Sequence, residues 1–337
     1  MSSAQVTVVI PTLAADSALE GCLQALGKQI FRDFDVILVD NSGKGLTRQQ
    51  GVRLSNVTVI ENRHNAGFGA AINQGIRVSS TPYVAALNDD AEPHPEWLAE
   101  MVAALESHPE AGMAASRILL AREGCLDSAG MLVCGDGSSK QRGHGQPPSS
   151  FPDTGEVLFP SACAALYRRA LLDETGGFDE DFFLYAEDTD LGLRARWAGW
   201  KCLYVPGATV NHGYSHSAGS ASPLKAYYVE RNRLFVLAKN FPAPAILRAP
   251  WVALARYFWH TLFLLGGRGS AARFREEGNN GLRLVWYVIR AHCALIRNLP
   301  ALWKKRRAIR RGARIPAAEF LKLLQTHAIS AREMAAL

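Results

Sequence analysis

The sequence predicts an α/β fold in which a mixed, mainly parallel sheet is flanked by helices and followed by a C-terminal helical segment. Three observations lead to this prediction. Short apolar runs alternate with helical patterns over the first hundred residues, hydrophobic residues make up 48% of the 337 positions, and basic residues accumulate towards the C terminus. Alternating strands and helices are typical of a parallel sheet covered on both faces. A chain of this composition can bury a large core.

The elements of the first hundred residues follow from their apolar periodicity. In parallel sheets, ligands bind beyond the carboxyl ends of the strands. Asp40 and the triplet Asn88-Asp89-Asp90 lie at two such ends and are therefore candidate site residues. The strands are predicted at 6–11, 35–42, 57–62 and 83–87, and the helices at 17–29 and 65–80.

The middle of the chain changes to strand-like pieces between residues 112 and 168. A loop at 135–156 joins them, and its richness in Gly, Ser and Pro predicts that it is mobile. A helix is expected to begin near Glu187, and a final pair of strands is expected around 201–217.

Cysteine usage and the N-terminal residues bear on the cellular compartment. The six cysteines form no CxxC pair and show no metal-ligand spacing, so buried or free thiols in a reducing cytoplasm are expected. The first apolar run has the length of a strand and has no basic segment before it, so a signal peptide is not expected.

The charge is distributed unevenly along the chain. From residue 245 onwards, 17 Lys and Arg stand against four Asp and Glu, whereas the preceding residues hold 20 against 27. A basic segment of this kind is expected to meet phosphates, either in lipid headgroups or in nucleic acid.

Two stretches of this basic segment place apolar and aromatic residues beside arginines at helical spacing. They lie at 249–267 and 282–311, and Arg256 and His260 interrupt the first too strongly for a membrane span. We therefore expect an amphipathic segment that lies on an anionic membrane surface. A helical arm for dimerisation or core packing is the alternative.

The triplet Asn88-Asp89-Asp90 directly follows the predicted strand at 83–87. Two neighbouring carboxylates on a tight turn can supply the hard oxygen ligands that Mg²⁺ and Mn²⁺ prefer. The simpler alternative is a solvated turn that ends the strand.

The stretch HNAGFGAAINQG at 64–75 offers small residues and asparagines at the start of a predicted helix. In a strand–loop–helix unit, such residues let backbone N–H groups come close to a ligand. The stretch is neither a GxGxxG fingerprint nor a Walker loop. A helix whose small residues merely pack against the sheet is the alternative.

Glu187 and Asp188 lie where a helix is predicted to begin, so the helix dipole favours their ionised forms. An ionised carboxylate beside aromatic residues, here Phe182, Phe183 and Tyr185, suits a general base for a sugar hydroxyl. A well-capped amphipathic helix is the alternative.

His212 follows another predicted strand. A neutral imidazole at such a position can complete a metal site, although an isolated histidine is more often not a ligand.

Together these motifs resemble the inverting family 2 glycosyltransferases of the GT-A fold, in the branch that includes bacterial rhamnosyltransferases. The resemblance implies a GT-A domain at 1–240, with a nucleotide-binding half at 1–111 and an acceptor or catalytic half at 112–240. The basic region at 241–337 would then associate with a membrane or oligomerise, with a homodimer as one possibility. The resemblance covers about residues 5–240, and its motifs occur in order as VIPTL, LVDNS, NAGFGAAINQG, NDD, GGFDEDFFLYAEDTDLGLRARWAGW and VNHGYS.

The resemblance also implies a role for each candidate residue. Asn88 departs from the family's triplet, which begins with Asp, so it would supply a neutral ligand or a hydrogen bond instead of a charge. By this resemblance, Pro11 and Thr12 line the nucleotide pocket, and Asp40 contacts the base or ribose. The nucleotide–diphosphate wall would contain Asn65, Gly67 and Asn73, and Asp89 would lie near the sugar or ribose. Asp90 and His212 would bind the metal, and Asp188 would be the catalytic base with Glu187 beside it.

The implied activity is transfer of a sugar from a nucleotide-sugar donor with inversion. The lead is L-rhamnose from dTDP-rhamnose, with UDP-hexoses as the alternative, and the acceptor is a glycan or a glycan linked to polyprenyl diphosphate. Cell-wall, O-antigen or exopolysaccharide assembly is the implied context, at the inner face of the cell membrane as a peripheral cytoplasmic protein. A divalent metal (Mg²⁺ or Mn²⁺) would neutralise the departing nucleoside diphosphate, so one base suffices. A glycosidase would instead need two carboxyls.

Three other functions compete with this reading. One is a non-catalytic, nucleotide-sugar-binding scaffold that retains the fold. A second is a nucleotidyltransferase, which would need a phosphate-binding signature near the first strand that the sequence lacks. The third is a nucleic-acid-binding protein, for which the sequence has no reading motif.

Overall fold

The structure is a computed structural model of the chain, and it describes residues 4–13, 16–49, 57–213, 222–267 and 282–336. The helices of these residues are α1 Ser17–Gly27, α2 Leu46–Gln49, α3 Phe68–Val78, α4 Trp97–Ser107, α5 Arg169–Thr175, α6 Glu187–Trp197, α7 Pro223–Asn240, α8 Ala243–Leu265, α9 Leu282–Arg311, α10 Ala317–Thr326 and α11 Ala331–Ala336.

The strands range from three residues to the twelve of β12. They are β1 Val6–Thr12, β2 Phe34–Asp40, β3 Val57–Glu61, β4 Tyr83–Leu87, β5 Ala91–Pro93, β6 Ala111–Leu120, β7 Leu126–Ser128, β8 Met131–Val133, β9 Ser139–Gln141, β10 Gly155–Val157, β11 Ala164–Arg168 and β12 Lys201–His212.

The main sheet has the strand order β10-β12-β6-β11-β4-β1-β2-β3. β1 pairs in parallel with β2 and β4, β2 with β3, and β6 with β12, whereas β11 runs antiparallel to both β4 and β6. Consequently β1, β2, β4, β6 and β12 point the same way, and their carboxyl ends lie along one edge. This mixed, mostly parallel sheet with flanking helices confirms the predicted α/β class.

Side-chain alternation along β1 explains why helices cover both faces of the sheet. Successive strand residues point to opposite faces. Val8 belongs to the same buried cluster as Leu23 of α1 and Met101 of α4. Val9 faces α3 instead, and it approaches Gly75 so closely that an added Cβ would lie 2.5 Å from its side chain.

The pair of strands expected around 201–217 is a single strand, β12, so that prediction is wrong. Its register with β6 shifts between Val205 and Thr209. The Pro-Gly pair at 206–207 lies inside this shift, so residues that usually make a turn produce an irregularity within the strand here. The end of the predicted pair, at 214–217, lies outside the described residues.

The polar loop predicted at 135–156 is more ordered in the structure than its composition indicates. It contains β9, which pairs with β8, and a 3₁₀ turn at Pro148–Ser150. The Arg142 guanidinium donates to the Ala129 carbonyl at 2.7 Å and lies 4.4 Å from the ring centre of Phe151. These contacts hold the loop against the strands beside it.

The chain divides into two compact units. The division falls near residue 217, earlier than the boundary at 240 that the sequence suggested, because α7 belongs with the C-terminal helices. The first unit comprises residues 1–131, 141–195 and 200–217, and the second comprises residues 132–140, 196–199 and 218–337.

A buried network of charges connects segments of the second unit. Arg256 of α8 donates to Asp136 at 2.6 Å and to Glu230 of α7 at 3.1 Å. Glu230 also accepts hydrogen bonds from Arg233 and Tyr257. Burial raises the pKa of both carboxyls, but the neighbouring arginines outweigh this effect and hold each pKa at about 2. The network is therefore fully ionised at neutral pH.

Replacing Asp136 by Asn should destabilise the protein, because Arg256 loses a buried carboxylate. Breaking a buried ion pair in this way costs about 3–5 kcal/mol, and urea unfolding followed by circular dichroism at pH 7 measures the loss. A carboxyl whose pKa is lowered by folding stabilises the protein above its unfolded-state pKa, and this contribution disappears as the pH falls through the folded-state value. The difference between Asp136→Asn and the native protein should therefore shrink from about pH 5 to about pH 2.

The control for this experiment is Asp153→Asn, which changes an exposed carboxyl. A loss of stability in Asp136→Asn that is no larger than in the control, or that does not depend on pH, would contradict the assignment.

Candidate active site

The sheet brings the candidate residues at the strand ends to one edge. Thr12 lies opposite Asp40 in the register of β1 and β2, with Pro11 one position earlier. Asn88 follows β4 directly, and His212 is the last residue of β12. The edge is therefore polar where each of these apolar strands ends.

Asp40 is buried, and both of its carboxylate oxygens accept hydrogen bonds from the loop that follows β2. Oδ1 accepts from the backbone N–H of Ser42 at 2.9 Å and from its hydroxyl, and Oδ2 accepts from the N–H and the hydroxyl of Thr47, each at 3.0 Å. A carboxylate offers about four acceptor positions, and this loop uses all of them. Asp40 therefore shapes the loop, and its contact with a base or ribose stays a prediction.

Asn41 has a structural role that the sequence analysis missed. Its side chain donates to the Gly67 carbonyl at 3.1 Å and accepts from Asn62 at 2.8 Å and from the Ala66 N–H at 3.1 Å. Asn41 thereby fastens the loop before α3 to the end of β2. Its place directly after Asp40 in the motif LVDNS is the signal that could have pointed to it.

Position 67 requires a glycine, because its backbone lies close to the backbone of Phe183. Its φ is +90°, and an added Cβ would lie 2.4 Å from the carbonyl oxygen of Phe183. Asn65 accepts a hydrogen bond from the Gly67 N–H at 2.9 Å, and the Phe68 N–H donates to the Phe183 carbonyl at 2.8 Å. The small residues of this loop therefore hold the segment that leads to the acidic residues of α6.

Asn73 fastens the same segment from the middle of α3. Its amide accepts from the Phe178 N–H at 2.9 Å, donates to the Phe178 carbonyl at 2.8 Å, and donates to Glu180 at 3.0 Å. The sequence placed Asn73 in the diphosphate wall, whereas its buried amide is used by the protein itself. Membership of the nucleotide–diphosphate wall stays a prediction for Asn65, Gly67 and Asn73.

The segment before α6 has an unusual backbone. Phe183, Tyr185 and Ala186 have φ angles of 64°, 68° and 62°, in the left-handed region that residues other than glycine rarely adopt. Each such residue costs on the order of 1–3 kcal/mol and is kept only where the surroundings impose it. The contacts from Gly67, Phe68 and Asn73 supply that constraint.

Glu187 and Asp188 follow this strained segment at the start of α6, and their surroundings differ. Asp188 accepts hydrogen bonds from the Ala162 N–H at 3.3 Å and from the backbone N–H and hydroxyl of Thr189 at 2.6 and 3.2 Å. Glu187 is buried, and its Oε2 has no hydrogen-bond partner among the residues that the structure describes. Burial, and then the charge of Asp188, raises the pKa of Glu187 to about 8.

The two carboxyls of the pair, Glu187 and Asp188, therefore have different roles. Burial also raises the pKa of Asp188, but its three donors oppose this effect and favour the ionised form. The pKa of both carboxyls is raised by burial, and of the two it is Asp188 that has the donors to stabilise an anion. This is the arrangement that a general base requires.

Asp89 and Asn88 occupy different surroundings within the triplet. Asp89 is hydrogen-bonded to the Thr12 hydroxyl, and burial followed by the charges of Asp90 and Asp16 raises its pKa to about 6. The amide nitrogen of Asn88 lies 3.5 Å from Nε2 of His212. Asn88 therefore contacts the histidine through a hydrogen bond, one of the two roles that the sequence left open.

Asp90 and His212 come together as the sequence predicted for metal ligands. Oδ1 of Asp90 lies 3.3 Å from Nε2 of His212, and the Asp90 carbonyl accepts from the Gly213 N–H at 2.8 Å. Burial lowers the pKa of His212, but Cys163 and the carboxylates of Asp127 and Asp90 raise it well above its usual value. A proton and a metal ion therefore compete for Nε2.

These two side chains fit a divalent cation that is completed by its substrate. A carboxylate oxygen and an imidazole nitrogen are both ligands of Mn²⁺-type ions. Within the described residues, no group of three or more His, Cys, Asp or Glu side chains is arranged to hold a metal ion. Phosphate oxygens and water would supply the remaining ligands, as is usual for Mg²⁺ in phosphate sites.

Two consecutive residues connect the acidic pair with the proposed metal ligands. The Ala162 N–H donates to Asp188, whereas the Cys163 carbonyl accepts from the Asn88 N–H at 2.8 Å and its thiol is hydrogen-bonded to His212. Asp188 and His212 therefore contact neighbouring residues, whose Cα atoms are only about 3.8 Å apart, and that they form one site stays a prediction. The sequence analysis did not single out either residue.

Comparisons with known proteins agree with this geometry. Residues 7–176 match the sequence model of the family described as Glycosyl transferase family 2. The N-acetylglucosaminyl-diphospho-decaprenol L-rhamnosyltransferase of Mycobacterium tuberculosis is 30% identical over 247 residues, which are 66% of this chain and 80% of that protein.

Two solved structures show the fold. The mannosyltransferase PcManGT of Pyrobaculum calidifontis, in complex with GDP-Man and Mn²⁺, has a TM-score of 0.51 at 17% identity and covers 96% of this chain and 79% of that chain. TarS 1–349 of S. aureus, in complex with UDP-GlcNAc, has a TM-score of 0.51 at 19% identity and covers 96% of this chain and 91% of that chain. Sequence and fold together confirm the resemblance, and the chain belongs to glycosyl transferase family 2 as a glycosyltransferase of the GT-A fold.

Proposed function

We propose that the protein transfers L-rhamnose from dTDP-rhamnose to a hydroxyl of a glycan carried on polyprenyl diphosphate, with inversion and with the help of a divalent cation. Residues 1–111 would bind the nucleotide. The relative from Mycobacterium tuberculosis supports this sugar and this acceptor class by its name. TarS in complex with UDP-GlcNAc supports a UDP-hexose as the alternative donor.

The observation that carries the proposal is the set of hydrogen-bond donors that surround the Asp188 carboxylate at the start of α6. Asp188 is held by the Ala162 N–H, and the adjacent Cys163 contacts both Asn88 and His212. The proposed base, Asp188, and His212 of the proposed diphosphate site would therefore contact the consecutive residues Ala162 and Cys163. A transfer with inversion requires these two groups and no second protein acid.

Asp188 accepts the proton of the acceptor hydroxyl as that oxygen attacks the anomeric carbon of the donor. The new glycosidic bond forms while the bond from the anomeric carbon to the diphosphate oxygen breaks, and its electron pair leaves with the diphosphate. A cation bound at Asp90 and His212 would supply the positive charge that stabilises this leaving group. The proton on Asp188 then returns to solvent.

Asp188→Asn should abolish transfer, because an amide cannot accept the proton. General-base catalysis contributes about 10²–10⁴-fold, so we expect kcat to fall by about 10³-fold. Nucleotide binding should change by less than about twofold, since Asp188 is not assigned to the donor phosphates. Release of nucleoside diphosphate measures transfer, and calorimetry measures binding, with the donor chosen as the nucleotide sugar that raises Tm most in the presence of Mn²⁺.

The matched control is Asp173→Asn, which changes an exposed carboxyl on α5. A variant Asp188→Asn with native kcat would remove the base assignment. A native protein that binds nucleotide sugars but transfers none to any acceptor would instead support the non-catalytic scaffold.

The membrane surface is the second part of the proposal, and exposed apolar side chains support it. On α8 they recur three or four positions apart and form one stripe along the helix. On α9 a similar stripe runs beside Cys293, which is also exposed. The exposed residues are Leu247, Trp251, Leu254, Phe258, Leu262 and Leu265 on α8, and Val285, Trp286, Ile289, Ile296, Leu299 and Trp303 on α9.

The positive charge of these helices supports an anionic lipid surface as the partner that the exposed apolar stripes contact. Residues 243–265 and 282–311 contain 11 Lys and Arg and no Asp or Glu, and of the 11 only Arg256 and Arg306 are buried. Lipid headgroups attract such residues by about 1 kcal/mol each near the surface. Among the described residues, no helix combines the length and the apolar character needed to cross a membrane. A helix that lies in the interface is the arrangement that fits these features.

Replacing Trp251 and Phe258 together by Gln should weaken binding to vesicles that contain anionic phosphatidylglycerol. Both side chains are more than half exposed, so the change removes apolar contact without emptying the protein core. We expect partition to fall at least about tenfold, which corresponds to about 1.4 kcal/mol. Vesicle flotation of the full chain measures the partition, with phosphatidylcholine vesicles as the neutral comparison.

The control variant replaces Ile30 and Val78 by Gln, because both are exposed apolar residues outside the C-terminal helices. If the native chain does not bind the vesicles, the membrane proposal is wrong. If the double variant instead dissociates a dimer in sedimentation, the stripes form an interface between copies of the chain.

A further inference from the structure

A second carboxylate lies behind His212, on the side of the ring that faces away from Asp90. Oδ2 of Asp127 is 2.9 Å from Nδ1 of His212, whereas Nε2 of the same ring faces Asp90 at 3.3 Å. Asp127 and His212 are both buried. The two ring nitrogens of His212 therefore meet two different carboxylates.

This contact selects one tautomer of the neutral ring. An ionised carboxylate only accepts hydrogen bonds, so Nδ1 must carry the hydrogen. The lone pair of a neutral His212 then lies on Nε2, which faces Asp90 and is where a metal ion would bind. A histidine that ligates a metal commonly donates its other N–H to a carboxylate in this way, which fixes both the tautomer and the plane of the ring.

His144 holds Asp127 in turn. Its Nδ1 lies 3.1 Å from Oδ1 of Asp127 and 3.2 Å from the Asp127 carbonyl oxygen. Both of these partners are acceptors, so Nδ1 of His144 also carries a hydrogen and donates it. One oxygen of the carboxylate then accepts from His144, with Gln141 as a second donor at 3.5 Å, and the other oxygen accepts from His212, which leaves the Asp127 side chain little freedom to rotate.

The backbone around Asp127 is equally constrained. β7 pairs with β6 on one side. On its other side, the Leu126 N–H donates to the Gln146 carbonyl, and the Leu126 carbonyl accepts from the Gly145 N–H, each at 2.8 Å. Asp127 is thus fixed between two segments, one of which carries His144.

We propose that Asp127 is a positioning residue, which together with His144 orients His212 to receive the divalent cation of the donor diphosphate. The inference rests on the proposed function, since it assigns residues towards that cation. Neither residue is expected to touch the donor or the acceptor. Their effect passes through the tautomer and the ring plane of His212, and it should therefore appear in metal affinity.

Asp127→Asn is the decisive variant, because it keeps the shape of the side chain but has only one oxygen acceptor for two histidines. We expect the Kd for Mn²⁺, measured by electron paramagnetic resonance in the presence of dTDP, to rise about 10- to 100-fold, the usual effect of removing such a partner. His144→Gln should change the Kd in the same direction by a smaller factor. In transfer assays, saturating Mn²⁺ should restore most of kcat in both variants but not in Asp188→Asn.

Asp153→Asn is the control for the change of charge, and thermal unfolding without metal measures any loss of folding. A native Kd for Mn²⁺ in both variants would overturn the proposal, as would a kcat that extra Mn²⁺ does not restore. If Asp127→Asn does not fold, His144→Gln decides the question by itself. If the native protein binds no Mn²⁺ with dTDP yet still transfers sugar, the inference fails while glycosyl transfer stands. If it transfers none with any metal, the proposed function itself fails.

Discussion

The ionised carboxylate of Asp188 is the group on which the rest of the site depends. Burial opposes its charge, so the protein must supply donors to keep it ionised. The Ala162 N–H and Thr189 provide them, whereas burial and the charge of Asp188 raise the pKa of Glu187. The carboxylate reaches this position because the residues immediately before α6 adopt left-handed backbone angles.

That strained segment explains why the loop before α3 has its particular sequence. Gly67 lies against the Phe183 carbonyl, where a larger residue would clash, and Asn73 binds both backbone groups of Phe178. An added Cβ on Gly69 would lie 3.1 Å from Phe178 and 3.7 Å from Glu187. The NAGFGAAINQG motif thus positions the segment before α6 through packing, in addition to any contact that its first residues make with a diphosphate.

The sequence predicts the sheet edge well, because the positions of apolar strands and of the polar residues that end them can be read locally. Asp90 and His212 are 122 positions apart, yet both follow strands of the same sheet, and their meeting follows from the α/β class. The resemblance to a family adds the role of Asp188. The use of Asn73 by Phe178 was not predicted, because that contact depends on how a loop over 100 residues later returns to α3.

Asp127 and His144 show the limit of sequence reasoning more clearly. Each lies in a stretch without helical or strand periodicity, and nothing in its neighbours indicates a partner. Their contact with His212 depends on the pairing of β7 with β6 and on the ordered course of the loop at 135–156. The sequence predicted that this loop is mobile, since composition reports Gly, Ser and Pro but does not report the hydrogen bonds that the loop makes.

The stereochemistry of the product tests the central claim most directly. One base and a departing diphosphate, without a nucleophile that forms a covalent intermediate, require a single displacement at the anomeric carbon. Proton NMR of the isolated product gives the configuration of the new glycosidic bond, which can be compared with that of the donor. The account predicts the opposite configuration. A product that keeps the configuration of the donor would contradict it.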